Sequence, residues 1–96
     1  MILVREVFQV KWGKANEAVE MMKQVTTMMP KEANVRIMTD ASGPFFTVVS
    51  EYEVPSLAEF ERMSAGWFEA PDFEKWFARS LNVIESGRRE FYTLQR

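Results

Sequence analysis

Residues 2–10 are rich in β-branched and aromatic types and read as a strand. Period-two alternation puts Ile2, Val4, Glu6, Phe8 and Val10 on one face and Leu3, Arg5, Val7 and Gln9 on the other. Trp12, Gly13 and Lys14 make a turn. A helix is then predicted over residues 14–29, with Ala15, Ala18, Val19, Met22, Val25 and Met29 on one apolar stripe and Pro30 as its stop. Residues 34–40 and 45–54 read as two strands joined by the turn residues Ala41, Ser42, Gly43 and Pro44, and so as an antiparallel hairpin. In the second of these, Phe46, Val48, Ser50, Tyr52 and Val54 share a face.

Ser56 and Glu59 have the spacing of a capping box, which starts the next helix at Ser56. Leu57, Phe60, Met63 and Trp67 follow at helical intervals. Gly66 and Pro71 predict a break into two pieces, with Pro71 in the first turn of the second. There Phe73, Trp76, Phe77, Ser80, Leu81 and Ile84 share a face, Gly87 ends the helix, and residues 88–95 read as a fourth strand. The order β-α-β-β-α-β with right-handed crossovers gives an α+β, ferredoxin-like fold over residues 1–96. Its four-stranded antiparallel sheet has order 4-1-3-2, with the helices on one face. That architecture hosts many unrelated functions, so it does not name one.

Composition narrows the chemistry. The chain of 96 residues contains no Cys and no His. Cys/His zinc sites, thiol nucleophiles and His-dependent triads are thereby excluded, as is histidine ligation of haem. The four glycines are too scattered for a phosphate-binding loop, no Asp/Glu run has calcium-loop spacing, and no cofactor or metal is expected. Twelve basic against fourteen acidic residues give a net charge of −2, which argues against a nucleic-acid partner. The apolar opening run is too short for an export signal or a membrane span, so a cytoplasmic protein without a membrane partner is expected.

Helices on one side leave the other sheet face bare. That face holds Leu3, Val7, Met38, Phe45 and Val49, with Arg5, Arg36 and Glu51 among them. A half-apolar bare sheet is a partner site more often than a solvent face, and a homodimer through it is expected. The three charged residues have two uses open to them, pairing across strands or across the interface.

The run Val4 to Glu17, a strand followed by a Gly-Lys turn into a helix with an early Glu, carries a resemblance. So do the aromatic stretch 60–77 and the closing Arg89, Glu90, Phe91 and Tyr92. The chain resembles the small antibiotic-biosynthesis-monooxygenase-like and NIPSNAP-like domains of the dimeric α/β-barrel superfamily. The resemblance implies two ferredoxin-like protomers packed sheet against sheet. The superfamily includes cofactor-independent oxygenases, haem-degrading enzymes and domains without known activity. The haem-degrading branch uses a catalytic histidine, which this chain lacks, and no monooxygenase catalytic residue matches position by position.

Glu6 is the conspicuous residue, a carboxylate in the middle of a central strand on the helix-covered face. There it must pair with a cation or keep its proton, which is how a general base is tuned. Structural pairing with Arg89 or Arg62 is the alternative. Tyr52, Trp67 and Trp76 are the candidate ligand contacts. The aromatic set Trp67, Phe68, Phe73, Trp76 and Phe77 reads either as the wall of a site for a flat apolar ligand or as plain core filling. Met22 and Met29 belong to the core stripe, Met21 and Met28 flank it, and Trp12 reads as a packing lid. Two functions stand. One is a non-catalytic or small-molecule-binding dimer. The other is a cofactor-independent monooxygenase-like enzyme acting on a small apolar or aromatic substrate, with Glu6 as base. A cavity of several hundred Å³ lined by Glu6 and the tryptophans separates them from a solid core.

Overall fold

The computed structural model describes residues 1–95. Its sheet is built on the first strand, β1 (Ile2–Val10), which is antiparallel to β3 (Thr47–Val54) on one side and to β4 (Ile84–Thr93) on the other. Strand β2 (Arg36–Thr39) pairs with β3 and completes the order β2-β3-β1-β4, the expected topology. The face assignment also holds. Val4, Val10, Val48, Tyr52 and Val54 are buried beneath the helices, and the hydrophobic core lies there.

Helix α1 (Ala15–Thr26) buries Ala18, Met21 and Met22 against the sheet. Met21, expected at the flank, is fully buried. The helix ends three residues earlier than expected, so Pro30 does not stop it. The hydroxyls of Thr26 and Thr27 donate to the carbonyls of Lys23 and Gln24, at 2.9 and 2.7 Å. Such local bonds compete with helix propagation, and the residue before a proline avoids helical geometry. A single 3₁₀ turn (Lys31–Ala33) and Asn34, at φ 51°, then lead into β2, which is shorter than expected at both ends.

Strand β3 begins at Thr47, two residues late. Asp40 and Thr47 close the connecting loop, since Asp40 N donates to Thr47 O at 3.1 Å and Thr47 N donates to Asp40 Oδ1 at 3.0 Å. Phe46 inside it takes φ 58°, which a β-ladder does not allow. Trp12 is not a lid over the core. It is 76% exposed and packs edge-on against Phe45 and Phe46 at this end of the sheet.

The Ser56 hydroxyl accepts from Glu59 N at 3.2 Å and caps helix α2 (Leu57–Glu69). Only half of the capping box forms, because the Glu59 carboxylate turns to Arg62 instead. Gly66 does not break this helix. The break falls at Ala70, Pro71 and Asp72, before α3 (Phe73–Ser80), and Pro71 lies outside the first turn because Asp72 is the N-cap. Leu57 and Leu81, expected to face the core, are exposed. Helix α3 ends at Ser80 and β4 begins at Ile84, so Gly87 sits within the strand rather than ending a helix.

Gly87 has a steric role there. It pairs with Phe8, and a Cβ on it would lie 2.8 Å from the Phe8 ring. At Gly66 a Cβ would meet nothing within 4 Å. Gly87→Ala is therefore expected to destabilise the fold by about 1–3 kcal/mol through overpacking. Gly66→Ala is expected to stabilise it by about 0.4–1 kcal/mol by restricting the unfolded chain. Thermal melts of the two variants beside the parent chain check both signs.

Candidate functional site

The β1 register makes the floor of the site. Glu6 stands opposite Ser50 of β3 and opposite Arg89 of β4, so all three lie in one row on the helix-covered face. Arg89 donates from Nε to Glu6 Oε2 at 2.7 Å, and its Nη2 lies 2.6 Å from the same oxygen. The guanidinium also sits over the Phe60 ring, 5.0 Å from its centroid. Of the two partners that the sequence offered, Arg89 is the one used. Arg62 is held by Glu59 on its own helix. Both Arg89 contacts fall on Oε2, and no side chain among the described residues donates to Oε1.

Above this row the helices do not close. A cavity of about 550 Å³ lies between them and the sheet, within the usual range for ligand sites. Its floor is Glu6, Phe8, Ser50, Tyr52 and Arg89. One wall is α1 and the turn after it, through Met22, Val25, Met28 and Met29. The opposite wall is α2, through Met63 and Trp67, and the end is α3, through Phe73, Trp76 and Phe77. The lining is mainly apolar, with polar side chains at the floor, at the Glu59–Arg62 rim and at Thr26 and Ser64.

The aromatic crossover is a wall and not a filled core. None of its five rings is buried, and α2 buries no residue at all. Edge-on contacts hold the rings to one another: Trp67 meets Phe73 at 5.5 Å and Trp76 at 5.6 Å, and Phe68 meets Phe73 at 5.2 Å. Trp76 is also anchored to α1, its Nε1 donating to Met21 O at 3.0 Å. Phe60, Met63 and Trp76 tie the crossover to the core at its ends, while the contacts among Trp67, Phe68 and Phe73 are made within it.

Tyr52 lies one pleat along from Ser50. Burial pushes its hydroxyl pKa well up, the Glu6 carboxylate pushes it further, and Arg89 opposes them. The phenol stays protonated and is available as a donor. Neither its hydroxyl nor that of Ser50 has a hydrogen-bond partner among the described residues, and neither is a sealed, orphaned atom, so both open onto the cavity. The floor therefore offers one strong donor (Tyr52), one hydroxyl of either sense (Ser50) and one carboxylate oxygen (Glu6 Oε1), beside an ion pair already neutralised.

All four residues singled out from the sequence, Glu6, Tyr52, Trp67 and Trp76, line this one cavity. Ser50 and the methionine wall were not singled out as ligand contacts. Ser50 had a signal, as the one small polar residue interrupting Val48, Tyr52 and Val54. The methionines had only the weak signal of a Met-rich run, because their stripe reads equally as core. Among the described residues no group of acidic side chains could hold a metal ion, and no helix is long and apolar enough to cross a membrane.

No family model matches this sequence, and no curated protein matches it either. Solved structures do. An uncharacterized NIPSNAP domain protein from Burkholderia xenovorans superimposes with a TM-score of 0.83 at 16% identity, over 99% of this chain and 95% of its own. A NIPSNAP family protein from Agrobacterium tumefaciens gives 0.81 at 15% identity, over 98% and 92%. A Nitrosomonas europaea protein described as a candidate antibiotic biosynthesis monooxygenase gives 0.75 at 14% identity, over the whole of both chains. At such identities the likeness is one of fold: the chain has the ferredoxin-like α+β fold of NIPSNAP-domain and antibiotic-biosynthesis-monooxygenase-like proteins, as its sequence pattern implied.

Proposed function

We propose that the protein binds a small, flat, uncharged ligand in the cavity between sheet and helices, and that it works as a homodimer joined through the bare sheet face. The observation that carries the first part is the cavity itself, with its aromatic walls and three unengaged hydrogen-bonding groups on the floor. An uncharged ligand fits because Arg89 is committed to Glu6. An anion would have to break that pair, and a cation would find its carboxylate already neutralised. Aromatic rings of Trp67 and Trp76 suit a planar ring system, and Tyr52 suits a carbonyl oxygen on it. The dimer reading rests on the exposed or half-buried Leu3, Met38 and Val49 around Val7, on a face that no helix covers; Phe45, expected there too, lies in the loop before β3 against Trp12.

A second reading rests on Glu6 Oε1. A carboxylate oxygen without a donor, beside a protonated phenol, can take the proton of a bound aryl alcohol. The resulting electron-rich ring can react with dioxygen, one oxygen atom entering as a quinone carbonyl and the other leaving as water. Solved structures of this fold described as antibiotic biosynthesis monooxygenases support this reading only by analogy.

Three measurements check these readings. Tryptophan fluorescence titrated with 2-acetylnaphthalene should quench and saturate, and Tyr52→Phe should weaken the affinity about fivefold, as for one neutral hydrogen bond. Affinity should be flat from about pH 6 to pH 9, falling only above the ordinary tyrosine value near 10, because the Tyr52 pKa is raised. Wild-type binding that drops below pH 9 would remove Tyr52 as the donor. An oxygen electrode with 1-naphthol tests the enzyme reading: uptake that Glu6→Gln abolishes supports it, and no uptake leaves binding alone. Light scattering at low micromolar concentration should return twice the chain's 11.2 kDa, from an interface of more than roughly 1,000 Å². Val49→Asp should halve that mass, since its cross-strand neighbours on that face are Val7 and Met38 and a charge buried there without a partner costs several kcal/mol.

A further inference from the structure

The outer side of the aromatic crossover carries a second hollow. It holds about 520 Å³ between the end of α1 and helix α3. Trp67, Trp76 and Met28 line it, and the same three side chains line the inner cavity. The wall between the two spaces is therefore one side chain thick. Trp76 is fixed in that wall, with Nε1 donating to Met21 O at 3.0 Å and its ring edge-on to Trp67. Met28 is not fixed. It lies in the turn after α1, is 55% exposed, and has an unbranched side chain that can swing without moving the backbone. The rest of the lining is polar, with Gln24 and Thr27 on one side and Asp72, Lys75 and Arg79 on the other. Arg79 is held by Glu17 and Glu20. The side chains of Gln24, Asp72 and Lys75 have no hydrogen bond or ion pair among the described residues. Asp72 and Lys75 stand one helical turn apart at the start of α3, so a negative and a positive group open on the same hollow.

We infer that this hollow is the outer half of the ligand site, and that the ligand is an aryl glycoside: a flat ring in the inner cavity and a neutral sugar outside, joined past Met28. The inference rests on the ligand-binding reading above and adds to it the chemistry of the ligand's outer half. Three features select a sugar. The inner wall of the hollow is made by two indoles, and the electron-rich face of an indole packs well against the C–H bonds of a pyranose. The free side chains offer both senses of hydrogen bond, since Lys75 donates, Asp72 accepts and Gln24 does both. Hydroxyl groups donate and accept alike, so one sugar ring satisfies all three. The paired signs exclude a simple ion. An anion drawn to Lys75 is repelled by Asp72, a cation meets the reverse, and a neutral polyol meets neither penalty. The ring part stays uncharged, and the Glu6–Arg89 pair on the floor stays intact beneath it. Its carbonyl end lies at Tyr52, and the sugar leaves from the opposite end.

A matched pair of probes tests this. The compound 6-acetyl-2-naphthyl β-D-glucopyranoside carries the sugar, and 2-acetyl-6-methoxynaphthalene carries a methyl group in its place. Their dissociation constants are measured by titration calorimetry on the full chain. The glucoside should bind at least about fivefold more tightly, as for one or two neutral hydrogen bonds gained. Asp72→Ala and Lys75→Ala should each lower that ratio of affinities, and the double variant should bring it to about one. Gln24→Ala should lower it too, and serves if the changes in α3 unfold the chain. Tyr52→Phe should weaken both probes by the same factor and leave the ratio as it was, because it acts at the other end of the ligand. The sulfate ester of the same naphthol should gain nothing over the methoxy compound. Equal affinities for glucoside and methoxy compound in the parent chain overturn the proposal. So does a ratio that the double variant leaves unchanged, and so does a sulfate ester that binds more tightly than the glucoside. If neither probe binds, the ligand site itself is refuted and this proposal with it, a result distinct from the methoxy compound binding as well as the glucoside.

Discussion

Strand β1 is hydrogen-bonded along both of its edges, and most of the molecule follows from that. A strand paired on both sides can send its side chains only up or down, and successive residues take opposite directions. Arg5 and Glu6 are neighbours in the chain, so one charge goes to each face of a four-stranded sheet. Glu6 is largely shielded from solvent, whereas Arg5 stays partly exposed on the open face. Each must find its counter-charge on the adjacent strands, one residue away in the register. Arg89 supplies it for Glu6, and Glu51 and Glu90 supply it for Arg5. The floor of the cavity and the ion pairs of the open face are two consequences of the same pair of residues.

The cavity has a different origin. Helix α1 is amphipathic and short, and it settles closely on the sheet through Ala18, Met21 and Met22. The second crossover is broken at Pro71; Phe60 and Trp76 pack on the core, while Trp67, Phe68 and Phe73 pack chiefly on one another. A ring that packs edge-on against another ring satisfies much of its apolar surface without a sheet beneath it. The ion pair below adds to the separation. Glu6 and Arg89 are too polar to be covered by dry apolar packing without loss, and a space that admits water or a ligand removes that conflict. The crossover therefore spans the row of Glu6, Ser50 and Arg89 without filling the space above it.

Much of this was legible in the sequence because it depends on local periodicity. Alternation in residues 2–10 and 45–54 placed Glu6 and Tyr52 beneath the helices. The spacing of Ser56 and Glu59 marked a helix start, and the bare face was recognisable from Leu3, Val7, Met38 and Val49 once the helices were counted to one side. Gly87 misled, because glycine ends helices more often than it occupies strands. Its reason for being there, the Phe8 ring against it, lies on a strand almost eighty residues away.

Sequence alone thus determined the topology, the two faces of the sheet and the residues that would need a partner. These are properties of spacing along one chain, and a shift of one residue would turn every side chain to the wrong face. Tertiary structure decided which partner each residue took. Arg89 rather than Arg62 holds Glu6 because the β1–β4 register sets them opposite, while Arg62 is held within its own helix by Glu59. Tertiary structure also decided that the aromatic crossover leaves a cavity between itself and part of the sheet. How far a helix sits from a sheet depends on the volumes of all the side chains between them and on what those side chains prefer to touch, and that is a balance among distant residues which no local pattern records.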